Sequence, residues 1–342
     1  MAKFLLSKSK ALEQFNLVKK VSDIVSYSSK TNPKITPILE SETNAIFSVH
    51  HKNELVHLKD KSKALFLAQG LTNNLLDELT NLSVKFFVID NIPDLDVLLN
   101  YIKTNNINIK LLLRIKLQEH SIRTEKYFVF GMPSDFIKEQ IPKLKSNPNI
   151  DKIGIHFHRK TQNMSEWNYQ YELTEMFSED ILKMMDIVNI GGGLPSVYAN
   201  TNIDVVNSVL KKINEIKLWL NSLNIKIIVE PGRFIAAPSA KLVTNVIRVY
   251  DNNIIVDASV YNSDLDAIVV PVKLIVEDEL DKKEGTPYVI KGITPCSMDL
   301  FRYRVYLKKI KDGDTITFLN AGAYNFSSEF CDLNKIETEI VK

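Results

Sequence analysis

The sequence predicts a (β/α)8 barrel followed by an antiparallel β domain, and three observations predict it. Eight short apolar runs punctuate the first two thirds of the chain. Amphipathic helical patterns lie between them. After about residue 236 the helical patterns stop, and short β-rich runs follow one another through turn residues.

The predicted barrel strands are Val25–Ser29, Ala45–Val49, Ala64–Ala68, Lys85–Asp90, Lys110–Ile115, Lys152–Phe157, Ile187–Ile190 and Lys226–Glu230. Several lack polar alternation, as expected where both faces of a strand are buried. Helices are predicted over Asn53–Lys59, Asn73–Thr80, Ile92–Lys103, Pro133–Lys145, Trp167–Met185 and Val205–Ser222. Eight regular units favour closure into a barrel, with a doubly wound sheet as the alternative. Beyond them the runs Leu242–Val249, Asn253–Val256, Ile268–Val276, Tyr288–Ile290 and Thr315–Leu319 read as strands with no clear helix between. Lys3–Leu6 is expected to add a strand to that second domain. The expected division is a barrel over 8–236 and a β domain over 237–342 with 1–7.

Composition narrows the function. A chain of 342 residues fits two domains. Hydrophobic residues at 45% and charged residues at 25% are ordinary for a soluble globular protein. A net charge of +2, with scattered lysines, suggests neither a nucleic-acid stripe nor a membrane-binding surface. Two cysteines, Cys296 and Cys331, are too few for a disulfide framework, so a cytoplasmic location is expected. No signal-like segment or membrane-length apolar run is read, and His and Cys show no zinc spacing.

Chemistry concentrates at the predicted strand ends, where barrels of this kind carry their active sites. One buried run ends in Gly191-Gly192-Gly193, whose backbone N–H groups can face a phosphate. The next ends in Glu230-Pro231-Gly232-Arg233, an acid placed to hold a cationic ring nitrogen. Together they suggest an anionic cofactor; taken singly, each motif also reads as a plain turn. Lys30, His50-His51, Arg114 and His158 stand at the ends of other strands.

This set resembles the fold-type III pyridoxal-phosphate enzymes, the group of alanine racemase and the ornithine and diaminopimelate decarboxylases. Tyr27-Ser28-Ser29-Lys30-Thr31-Asn32 is similar to that family's Tyr-Ala-Val-Lys-Cys/Ala-Asn. Gly154-Ile155-His156-Phe157-His158 is similar to Gly-Val-Ser-Phe/His-His. Asn189-Ile190-Gly191-Gly192-Gly193 resembles Asp-Ile-Gly-Gly-Gly, and Glu230-Pro231-Gly232-Arg233-Phe234 matches Glu-Pro-Gly-Arg-Tyr/Phe. Pro295-Cys296-Ser297-Met298-Asp299 and Gly322-Ala323-Tyr324 resemble motifs of the family's second domain.

The resemblance implies pyridoxal 5′-phosphate carried covalently on Lys30, with His158 stacked on its ring. Backbone N–H groups at Gly191, Gly192, Gly193 and near Gly232, with the hydroxyls of Thr161 and Tyr324, can hold its phosphate, and Arg114 and Arg233 are further candidate cofactor contacts. The resemblance also implies Cys296 as a proton donor supplied by the partner subunit of a homodimer. An acid such as Glu230 against the pyridine nitrogen keeps that nitrogen protonated, which favours decarboxylation; the alanine racemases of this fold place an arginine there. The expected substrate is a basic or amine-bearing amino acid, in polyamine or lysine biosynthesis. Asp264, Asp266, Asp299 and Glu329 are the candidate acids for its distal amine. Ser297 replaces the acid that usually follows the cysteine. His50, His51, His57 and His120 are given no catalytic role, and Cys331 a packing one. An amino-acid racemase and a non-catalytic decarboxylase-like regulator are the alternatives.

Overall fold

The computed structural model describes residues 1–116, 130–158, 168–201 and 204–342, apart from the side chains of 204–206. In chain order β1 (Lys3–Ser7) and α1 (Lys8–Val21) lead into β2 (Ile24–Ser28), α2 (Thr36–Glu42), β3 (Ile46–Val49), β4 (Ala64–Ala68), α3 (Asn73–Asn81), β5 (Phe86–Ile89) and α4 (Ile92–Asn105). Then come β6 (Ile109–Arg114), α5 (Ser134–Lys145), β7 (Ile150–His156), α6 (Tyr169–Met176), α7 (Glu179–Met184), β8 (Ile187–Asn189), α8 (Asp204–Ser222) and β9 (Lys226–Val229).

Strands β2 to β9 form a closed parallel barrel in sequence order. The ring closes where Ile24 and Val25 of β2 pair with Ile228 and Val229 of β9. Every predicted barrel strand forms, because each presents apolar residues to both faces. Leu65, Phe86, Val88, Leu112, Ile187 and Ile228 pack as one buried cluster, with Ile24, Ile46 and Leu67 against it. Residues of alternate strands fill such a barrel in layers, so its interior is a core and its chemistry is left to the rim.

Local signals start and stop the helices. The Thr72 hydroxyl accepts from the Leu75 N–H ahead of α3, and the Asn91 side chain accepts from the Asp94 N–H ahead of α4. Asn106 ends α4 in the left-handed region, which asparagine tolerates better than most residues. Asp94 is buried and accepts from the Gly70 and Leu71 N–H groups, fixing the turn after β4.

Three expectations about the barrel change. Residues 52–57 form a tight 3-10 segment where a helix over Asn53–Lys59 is expected. The long helix expected to end at Met185 is broken at Phe177–Ser178, where Ser178 caps α7. Helices α1 and α2 form where none is expected.

The second unit holds α9 (Arg233–Ser239), β10 (Ala240–Tyr250), β11 (Asn253–Val256), α10 (Val260–Ser263), α11 (Asp266–Val269), β12 (Ile275–Val276), β13 (Thr286–Lys291), β14 (Leu300–Leu307), β15 (Thr315–Leu319) and β16 (Glu337–Val341). Its eight-stranded sheet runs β12-β15-β10-β11-β13-β14, with β1 joining β10 to β16. Pairing is mostly antiparallel; β1 with β16 and β11 with β13 are parallel. The strand expected over Ile268–Val276 shrinks to Ile275–Val276, because Pro271 interrupts the run and Asp266–Val269 coil into α11. By packing, this unit comprises Met1–Gln14, Pro195–Ile203 and Arg233–Lys342; the barrel unit comprises Phe15–Leu194 and Asp204–Gly232.

Candidate active site

Glu230, immediately after β9, is the centre of the barrel's polar rim. It is buried, yet its carboxylate accepts three side-chain hydrogen bonds. Ser48 Oγ and Asn189 Nδ2 donate to Oε1 at 2.9 and 3.0 Å. His156 Nε2 donates to Oε2 at 3.3 Å. Ser26 lies behind Ser48 at 2.7 Å and donates to it, extending the chain of hydroxyls inward. Burial alone would push the carboxyl pKa up. The charge and hydrogen bond of His156, then Asn189, overcome that and hold it down at about 2. Glu230 is therefore ionised at any ordinary pH.

Lys30 stands on the one-turn segment Ser29–Thr31 after β2. Its surface is open to solvent, but its ammonium lies deep among neighbouring atoms. Dehydration lowers its pKa; Glu54 and Glu230 pull against that, and Arg114 adds to it. A lowered lysine pKa raises the share of neutral, nucleophilic amine. Glu54 turns back towards the rim because its Oε1 accepts from the His50 and His51 N–H groups at 2.8 and 3.0 Å. Burial, followed by the charge of Lys30, pushes His50 down to about 3, so its imidazole is neutral.

His158 has solvent-accessible surface, and the Gly192 N–H donates to its Nδ1 at 3.1 Å. Dehydration holds its pKa down at about 4. The three glycines are sterically required. Gly191 and Gly193 have φ of +69° and +92°. A Cβ on Gly192 would lie 2.7 Å from the Glu230 carbonyl oxygen. The Gly191 N–H donates to Asn189 Oδ1, so two of the three N–H groups have partners within the rim. A Cβ on Gly232 would lie 2.4 Å from Thr31 Oγ1, a buried hydroxyl with no hydrogen bond of its own. Arg114 sits 3.6 Å from Asp90, with its guanidinium over the Phe130 ring. Thr161 and His120 lie outside the described residues.

The β unit gathers the remaining predicted residues into two clusters. In the first, Arg233 donates through both arms of its guanidinium to Asp266, and to Tyr198 Oη at 3.1 Å. The Tyr324 ring lies 5.1 Å from that guanidinium. Asp264 is buried beside the pair, and burial pushes its pKa up to about 7 against the Ala267 N–H and Arg233. In the second cluster, Asp299 is buried and its carboxylate accepts from the Val260 N–H, the Thr294 N–H and the Thr294 hydroxyl. Gly292 makes room for it, since a Cβ there would lie 2.0 Å from Asp299 Oδ1. Cys296 is partly buried, with Tyr261 Oη 3.2 Å from its sulfur. Glu329 and Cys331 are exposed.

The sequence reading passed over Ser48, Glu54, His156 and Asn189 as site residues, and gave His50 no role. A signal existed for some of them. His156 and His158 are two apart, so strand alternation puts both on one face. Ser48 and Asn189 are polar residues in otherwise apolar strand runs, where a buried polar group needs a partner.

Residues 10–237 match the pyridoxal-binding domain of the pyridoxal-dependent decarboxylases. The chain belongs to that family, and pyridoxal 5′-phosphate is its cofactor. It is 26% identical over 215 residues to diaminopimelate decarboxylase of Archaeoglobus fulgidus, covering 58% of this chain and 50% of that one. It is 24% identical over 268 residues to antizyme inhibitor 2 of Xenopus laevis, covering 69% and 57%. The chain thus spans little more than half the length of these curated relatives. In fold it matches the lysine/ornithine decarboxylase of Vibrio vulnificus solved with cadaverine, with a TM-score of 0.81 at 20% identity over 100% of this chain and 95% of that one.

The rim residues fit the cofactor. The glycine turn is a cradle that a Cβ on Gly191 or Gly192 would fill. Lys30 and His158 keep accessible surface, and Glu230 is an ionised carboxylate. Among the described residues no helix is long and apolar enough to cross a membrane, and no group of three His, Cys, Asp or Glu is placed to hold a metal.

Proposed function

We propose that this protein is a pyridoxal-phosphate-dependent decarboxylase of a basic or amine-bearing amino acid, working as a homodimer in polyamine or lysine biosynthesis. The observation that carries the reading is Glu230, a buried acid held ionised by three donors. When bound, the cofactor supplies a sink for the electron pair left on carbon as CO2 departs. Glu230 holds the proton on the ring nitrogen, which keeps that sink strong. Lys30 anchors the cofactor through its amine, and His158 covers one face of the ring as a neutral imidazole. Gly191–Gly193 and Gly232 lack a Cβ, which lets the phosphate approach the turn; the Gly191 and Gly192 N–H groups, bonded to Asn189 and His158, shape that turn rather than donate to the phosphate. Cys296 delivers the proton that replaces CO2, reaching the site of a partner subunit. Its sequence neighbours Ile293 and Met298 are exposed apolar residues, as a surface that meets a second copy would require.

One observation favours a second reading, a decarboxylase-like regulator. The Arg233 guanidinium, a candidate cofactor contact, is already held by Asp266 and Tyr198. The two readings separate in a CO2-release assay of the cofactor-loaded protein over ornithine, lysine, arginine, diaminopimelate and carboxyspermidines. Release from one substrate class supports the decarboxylase. Absence of release from all, together with failure to retain the cofactor, supports the regulator.

A further inference from the structure

We infer that Tyr261 is a positioning residue for Cys296: its hydroxyl donates to the cysteine sulfur, aims it, and stabilises the thiolate left once the proton has been given up. The inference rests on the reading of Cys296 as the proton donor and adds the group that equips it for that task.

The geometry is built from three independent restraints. Tyr261 Oη lies 3.2 Å from Cys296 Sγ, within reach of a hydrogen bond to sulfur. The Tyr261 ring stacks on Phe330 with centroids 3.8 Å apart and planes 16° from parallel, which fixes the direction of the hydroxyl. Asp299 ties together the two loops that carry the pair. One carboxylate oxygen accepts from the N–H of Val260, next to the tyrosine. The other accepts from the N–H and hydroxyl of Thr294, two residues before the cysteine. Asp299 was a candidate amine-binding acid. Here both its oxygens hold the backbone that brings phenol and thiol together, and Gly292 exists at that spot because nothing larger leaves Asp299 room.

The electrostatics agree in sign. The hydrogen bond with Cys296 pushes the Tyr261 phenol up to about 12, so it keeps its proton and acts as donor. The same bond, followed by the Met298 N–H, lowers the Cys296 thiol. Asp299 acts by charge on both groups and Cys331 on the phenol. In the step itself the Cys296 S–H bond breaks and its proton goes to the substrate carbon. The bonding pair stays on sulfur, where the Tyr261 O–H stabilises it, and water later returns a proton. The phenol keeps its own O–H bond throughout.

The test is the pH dependence of iodoacetamide alkylation at Cys296, read by peptide mass so that Cys331 is scored separately. Tyr261→Phe keeps the ring on Phe330 and removes only the hydroxyl. Alkylation of Cys296 should slow by roughly three- to tenfold near neutral pH and its midpoint should move up, because the thiolate is the nucleophile. An unchanged profile overturns the inference. If the variant fails to fold, the wild-type protein decides: a Cys296 midpoint below the ordinary thiol value of about 8.5 supports the pair, and one at or above it overturns the pair. In the cofactor-loaded enzyme, Tyr261→Phe should lower kcat with little change in KM. Cys296→Ala with unchanged turnover would instead sink the proton-donor reading, whatever Tyr261 does to the thiol.

Discussion

Two buried carboxylates, one in each unit, carry opposite charge preferences. Glu230 in the barrel is held down at about 2, and Asp264 in the β unit is pushed up to about 7. Burial is complete enough in both to favour the neutral acid. The difference lies in the donors. Glu230 receives Ser48, Asn189 and His156. Asp264 has the Ala267 N–H and a share of Arg233, whose guanidinium is bonded to Asp266. Donors, not depth, set the charge of a buried acid. The barrel gathers them at the acid proposed to hold a ring cation, and the β unit has not gathered them around Asp264.

The largest expected effect comes from the residue that gives this contrast its purpose. Lys30→Ala should remove the covalently retained cofactor and lower turnover by several orders of magnitude, measured by absorbance after gel filtration and by CO2 release. A variant that still retains the cofactor covalently would move the anchor elsewhere. Glu230→Gln keeps the shape but loses the charge. It should lower kcat by about 100-fold or more, read from steady-state rates at saturating cofactor. A loss below tenfold would remove Glu230 from the centre of the account.

Asp264→Asn sharpens the comparison through stability. A carboxyl raised in the folded state binds more protons there than in the unfolded chain. The wild type should therefore lose stability as pH rises from about 4 to about 7, by roughly 3–4 kcal/mol from this group. Glu230 has the opposite sign: its contribution is full above about 4.5 and lost as pH falls towards about 2. Urea unfolding at pH 5 and pH 8 should show the alkaline loss in wild type and a smaller one in Asp264→Asn. Equal losses in both would contradict the raised pKa. The smallest effect is Ser48→Ala, which removes one of three donors. It should cost about 1 kcal/mol in urea unfolding and move the acid limb of the rate profile up. An unmoved limb would mean that His156 and Asn189 suffice.

The barrel was legible because its strands are buried on both faces, so Ala64–Ala68 and residues 227–229 read as uninterrupted apolar runs. Helix α1 is not legible in the sequence although Ala11, Phe15 and Val18, four and three apart, form its buried stripe; four lysines among its fourteen residues mask it. β14 escaped because Arg302 and Tyr303 break its alternation. Arg302 is buried there through hydrogen bonds to Glu279 and the Leu274 carbonyl. Lys30, His158, the glycines and Glu230 are candidates through motif order. The donors around Glu230 are not, because Ser48, His156 and Asn189 come from three separate strands that only barrel closure brings together. Asp266 and Asp299 were read as acids awaiting an amine, but long-range contacts join one to Arg233 and the other to loop backbone.

The barrel rim around Lys30 and Glu230 is proposed to hold pyridoxal 5′-phosphate for chemistry. The most direct test is to titrate the cofactor-free protein with pyridoxal 5′-phosphate, reduce with borohydride and map the modified peptide. One modified residue per chain is expected, Lys30, with the label lost in Lys30→Ala. No stable label, or a label on a lysine away from the rim, would contradict it.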